Sequence, residues 1–255
     1  MDRQTLQKTL QRHQVRLSGR GFDVRELVFA PPATEMQLAA LEMDLGMPLP
    51  LSFRNVVAKV SAHVEFRWFC PREMQLPEPF KENFSGDLHW SLDYTRQFNR
   101  DKQGWIETVF NNAANTYNSV WHNKLAFYEV GNGDYIAMSL ARDGYGEVVY
   151  LSHDDGAGHG YVLADSFADL LERWVPLACP GGEDWQWLPF VTGQRERIAP
   201  ARLLRPEGRP GGPRPPVGPR KSPLALAQEK GPVLNRPPGP VSGDRCDANR
   251  PCPDP

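Results

Sequence analysis

Four residues with metal-ligand and acid–base chemistry crowd into one stretch, SHDDGAGHG, which holds His153, Asp154, Asp155 and His159. Imidazole and carboxylate are good ligands for zinc and other divalent ions, and a glycine-rich loop can close three or four of them around one ion. Metal-dependent hydrolysis is the activity such a site would support. The competing reading is structural, because Asp and Gly recur at strand ends and in turns for backbone reasons alone. The spacing matches no defined ligand motif. The structural reading is therefore preferred, and no metal-binding residue is assigned.

Other constellations are weaker still. GNGD at Gly131 offers consecutive backbone N–H groups that can face an anion, but Asp134 would repel phosphate and no GxxxxGK[ST] or GxGxxG pattern is present. A hairpin turn, oriented by Asp134 through side-chain to backbone hydrogen bonding, is expected instead. Cys70 or Ser152 with one of the six His residues would make a nucleophile and base, yet neither sits in a G-x-S-x-G elbow. Trp68, Trp105 and Trp174 fall at positions that periodicity assigns to the interior, so they form no stacking platform for bases. Trp185 and Trp187, in EDWQWLPF, are expected to fold back as a hydrophobic lid. No catalytic residue and no cofactor-binding residue is assigned.

Composition divides the chain. Residues 200–255 hold fifteen Pro, seven Gly and no aromatic residue, whereas all seven Trp precede them. So little apolar bulk cannot offset the entropy of ordering the backbone, and a disordered tail with polyproline character is expected from residue 198 onward. That tail carries ten Lys or Arg against five Asp or Glu, which leaves a net charge of -7 on residues 1–199 out of -2 overall. An acidic body repels nucleic acid and suits a basic partner. Cys70 and Cys179 read as core residues, and Cys246 and Cys252 lack the spacing of a zinc pair. No apolar run is long enough for a spanning helix and MDRQTLQKTLQRHQ has no signal-peptide core, so a cytoplasmic protein without membrane contact is expected.

The elements that must position these residues are clearest between Pro31 and Val60. Thr34 and Gln37 form a capping box, Leu38, Leu41 and Leu45 follow at helical spacing, and Gly46 ends the run. After a Pro-Leu-Pro corner, Ser52 caps a second helix with Phe53, Val56, Val57 and Val60 on one face. A helix is expected over 3–17. HVEFRWF and LHWSLDY alternate as strands, and a helix over 101–115 carries Trp105, Val109 and Ala113. KLAFYEV, DYIAMSL and GEVVYLSH form a meander joined by GNG and ARDGY turns. Ser166 with Asp169 caps a last helix, FADLLERW, which Pro176 stops.

The order PAT, LE, LG, LP and an aromatic residue in the first helical pair, then Trp121, Leu125 to Tyr128, GNGD, YIAMSL, GEVVYLSHDD and SFADLLERW, resembles the Smi/Knr-type domain of the SUKH superfamily. The resemblance covers about residues 21–176. One departure is the SAH of Ser61 to His63, where the family often has Asn-Gly-Gly. Residues and resemblance together predict an α+β fold: a mostly antiparallel sheet of about five or six strands with helices on one face, and a disordered Pro/Gly-rich tail. The expected organisation is an N-terminal helix over 1–20, the Smi/Knr-like domain with its Trp-rich extension over 21–197, and the tail over 198–255. The resemblance implies a non-enzymatic protein-binding domain, in bacteria an immunity protein that neutralises a cognate toxin. A regulatory scaffold whose PRPP stretch, Pro213 to Pro216, takes SH3-like partners is the alternative it leaves open.

Overall fold

The computed structural model describes residues 1–78, 80–81 and 84–199, all within one compact unit, Met1–Pro206. The expectations for PRPP, Cys246, Cys252 and the rest of the tail lie outside the described residues. Helix α1, Arg3–Ser18, starts at Asp2, whose carboxylate accepts the Thr5 N–H at 2.9 Å. Its Leu6 and Leu10 are fully buried. The Arg3 guanidinium donates to the carbonyls of Ala30 and Val60, which fixes this helix to the chain that follows.

Strands β1, Asp23–Val24, and β2, Val28–Phe29, pair in succession along one edge of β3, His63–Phe69, while β4, Ser85–Ser91, pairs along the other; all are antiparallel. Helix α2, Glu35–Leu45, has the expected box: Thr34 Oγ1 accepts the Gln37 N–H at 3.3 Å, and Gln37 Oε1 accepts the Thr34 N–H at 2.9 Å. Gly46 ends it at φ 67°, where an L side chain would be strained. Glu42 then braces the corner by accepting from the Leu49 N–H and from Arg54.

Helix α3, Leu51–Lys59, buries Phe53, Val56 and Val57. Its cap differs from the expectation. Ser52 lies inside the helix, and its Oγ accepts the Ala168 N–H at 2.9 Å, so it serves the start of the last long helix instead. The SAH turn is built on Ser61, whose buried hydroxyl contacts the carbonyls of Ala30 and His63 at 2.8 Å each.

Helix α4 runs Leu92–Thr108, not 101–115. Ser91 ends β4 and caps α4 at once, accepting the Tyr94 N–H at 2.9 Å, so strand passes into helix without a loop. The buried stripe is Leu92, Thr95, Phe98 and Lys102, while Val109 is 46% exposed beyond the helix end. After the single turn α5, Thr116–Ser119, strands β5, Lys124–Glu129, β6, Tyr135–Ser139, β7, Val148–Leu151, and β8, Val162–Ala164, form a second antiparallel sheet in sequential order. Helix α6, Phe167–Trp174, is capped by Ser166. A 3-10 turn containing Pro176 follows, and α7, Asp184–Trp187, with a second 3-10 turn, Leu188–Phe190, is the last helical segment among the described residues.

The α+β class and antiparallel pairing are as expected; among the described residues the strands number eight, in two four-stranded sheets. The two-residue strands β1 and β2 are too short to show alternation in sequence. Both faces of β5–β8 are covered. Phe127 meets Phe53 of α3 and Phe167 of α6 on one side, while Tyr135 meets Phe98 of α4 and Trp121 on the other. This explains why every residue of β6 is buried.

Candidate functional site

The β5–β6 turn, the end of β7, the 154–160 loop and α7 converge at one corner. At its centre is Asp134, only 2% exposed. Its Oδ2 accepts from the Tyr150 hydroxyl at 2.6 Å and from Asn132 Nδ2 at 2.9 Å. Its Oδ1 accepts from the His153 N–H at 2.8 Å and from His153 Nδ1 at 2.6 Å. Burial alone would raise the Asp134 pKa, but the hydrogen bonds from His153, Tyr150 and Asn132 outweigh it and hold the carboxyl below its ordinary value. The turn is not oriented by Asp134, as the sequence suggested; Asn132 Oδ1 does that by accepting the Asp134 N–H at 2.9 Å.

The four residues expected to crowd together do not all converge. His153 and Asp154 lie with Asp134 inside a span of 4.8 Å, but His159 points elsewhere. Its ring stacks on Tyr117 with centroids 3.7 Å apart, its Nδ1 accepts the Ser152 N–H at 3.0 Å, and its Nε2 donates to the Tyr117 carbonyl at 3.0 Å. Burial lowers the His159 pKa, consistent with a neutral ring of fixed tautomer. With both nitrogens occupied, His159 has no lone pair for an ion. Asp155 is exposed in a left-handed conformation, φ 65°. Asp134 likewise has both oxygens filled by protein donors, so a cation here would have to displace them.

The loop glycines have a packing reason. A Cβ on Gly158 would lie 2.5 Å from the Trp187 ring. Trp187 is fully buried against Tyr150 and Tyr161, and its Nε1 donates to the Gly182 carbonyl. Thus Trp187 closes the core as the lid reading expected. Trp185 is half-buried and packs on Phe84, itself 55% exposed, with ring centroids 5.3 Å apart. Ser152 Oγ accepts the Gly156 N–H at 2.9 Å and donates to Asp154 at 3.1 Å, so this buried hydroxyl organises the loop.

Around this interior network the corner is acidic. Asp154 and Asp155 are exposed, while Glu183 and Asp184 are partly buried. Asn132 Nδ2 donates to Glu183 at 2.7 Å, and Asp184 Oδ2 accepts the Gly158 N–H at 3.0 Å. Burial pushes both the Glu183 and Asp184 carboxyls up, and the neighbouring carboxylates, Asp134 and Asp154 among them, push in the same direction. Glu183 and Asp184 were not singled out in the sequence, since only the fold of α7 brings them beside the β7 loop.

Two antiparallel sheets braced by a capped helical pair and by the FADLLERW helix define an α+β domain. The chain belongs to the SMI1/KNR4 family (SUKH-1), whose family model matches residues 32–173, more than half of its length. No curated protein and no solved structure matches it. Helices α1 and α7 lie outside the matched span. No helix among the described residues is long and apolar enough to cross a membrane.

Proposed function

We propose that this SUKH-1 domain is a non-enzymatic immunity protein, acting in the cytoplasm, that binds a cognate toxin and occludes it. Family membership supports a protein-binding role. The observation that carries the reading further is the acidic corner formed by Asp154, Asp155, Glu183 and Asp184. Burial and the neighbouring carboxylates raise the Glu183 and Asp184 carboxyls, and a basic surface docked against the corner relieves that repulsion. The net charge of -7 on residues 1–199 steers a basic partner over longer range. Beside the corner, Trp185 with Phe84 supplies a partly exposed aromatic pair of the kind that anchors interfaces.

Co-expression with the toxin encoded beside its gene tests this reading. The wild-type chain should restore growth, and the charge-reversed pair D155K/E183K should not. Unchanged toxicity with the wild-type chain would remove the immunity role and favour the scaffold alternative.

A further inference from the structure

The body is acidic, but one groove of about 1060 Å³ is not. It runs between the end of α2, the outer face of α4 and the start of β5. Four cations line it, Arg96, Arg100, Lys102 and Lys124, against one carboxylate, Asp44. Asp44 is already paired with Arg96 at 2.6 Å, whereas Arg100 is exposed and has no carboxylate partner among the described residues.

At the floor are two adjacent lysines. Lys102 is 6% exposed, and its ammonium donates to the Lys124 carbonyl at 2.6 Å; the Lys124 ammonium donates to the His122 carbonyl at 3.1 Å. An ammonium group has three donors, so a single carbonyl leaves it under-satisfied. The neighbouring charge acting on Lys102 is the like-charged Lys124, and burial with that repulsion lowers the Lys102 pKa to about 8. Buried charge without a counter-charge is costly. An anion seated in the groove would supply that counter-charge.

Partly buried aliphatic side chains line the groove among the cations: Leu45, Met47, Ile106 and Leu140. Its volume far exceeds that of one small anion. We infer that this groove binds an acidic, aliphatic peptide segment of a protein partner, with a carboxylate seated on Lys102 and Lys124 and aliphatic side chains laid over Leu45, Met47 and Ile106. The inference rests on the protein-binding reading but needs no toxin, and its surface is separate from the acidic corner.

Fluorescence polarisation of the full chain with a labelled peptide of alternating glutamate and leucine tests it. Saturable binding is expected, weakened by ~tenfold or more in K102M and in R100E, with an alternating lysine–leucine peptide failing to bind. Arg100 is exposed, so R100E reports even if the buried substitution perturbs folding. Absence of saturable binding, wild-type affinity in both variants, or displacement by citrate as effectively as by unlabelled peptide would overturn the assignment. Because no toxin enters the assay, a failed growth rescue leaves its result unaffected, and a failed titration leaves the rescue unaffected.

Discussion

Asp134 holds His153 twice, accepting its backbone N–H at 2.8 Å and its Nδ1 at 2.6 Å. With Tyr150 and Asn132 on the other oxygen, this ties the GNGD turn to the last residues of β7 and makes the corner one body. Replacing the carboxylate with a methyl group strands several buried donors, each worth ~1–3 kcal/mol. D134A should therefore lose roughly 3 kcal/mol or more in denaturant unfolding. D134N should lose less, since an amide oxygen still accepts.

The same carboxyl sets an acid limit. Its folded pKa is held below the ordinary value, so its contribution is present above the unfolded pKa of about 3.9 and is lost as pH falls through the folded one. Melting curves at falling pH should show the stability gap between wild type and D134N closing below about pH 4. A gap constant down to about pH 3 would show that the pair carries no such linkage.

Glu183 has the opposite sign. Its carboxyl is raised in the fold, so ionisation works against folding at neutral pH and ceases to do so in acid. E183Q should raise the melting temperature at pH 7 by about 1–3 °C, with the gain vanishing below about pH 4.5. It should also weaken toxin binding, because a residue kept under repulsion serves the interface at the expense of stability.

Lys102 supplies a test on the alkaline side. Its pKa of about 8 in the fold lies below the ordinary 10.5, so from about pH 8 upward the unfolded chain binds more protons and stability rises with pH. Above about pH 10 tyrosine ionisation in the unfolded chain reverses the trend. K102M should be at least as stable as wild type at pH 7 and should lack the rise between about pH 8 and 9.5. Thermal scans across that range decide it; parallel profiles would show that the fold does not lower the Lys102 pKa.

Ser52 links α3 to α6 through the Ala168 N–H. S52A should cost about 1 kcal/mol, the usual value of a lost helix-start acceptor, and S52T should recover most of it. Equal stability of all three proteins in urea would show that water replaces the hydroxyl.

Much of this architecture is legible in sequence because its signals are local. Thr34 with Gln37, Gly46, and Ser166 act within four residues of their own helix ends. Sequence signals mislead where one residue serves two elements. Ser91 ends β4 and starts α4, so LHWSLDY looks like one alternating strand, and the buried stripe of α4 includes Thr95 and Lys102, which apolar periodicity overlooks. The site was harder. His153 and Asp154 stood out, but Asp134 looked like turn chemistry, and its partners Tyr150 and His153 arrive only through the β5–β6–β7 meander. A lysine reads as solvated until the fold shows what covers it, so nothing in the sequence marked Lys102.

Toxin binding through the acidic corner is open to a direct binding titration. The purified chain, wild type and D155K/E183K, would be titrated with the toxin domain encoded beside its gene. Saturable wild-type binding that weakens with added salt and is lost in the charge-reversed variant is the predicted result. Equal binding by the two proteins, or none by the wild type, would contradict it.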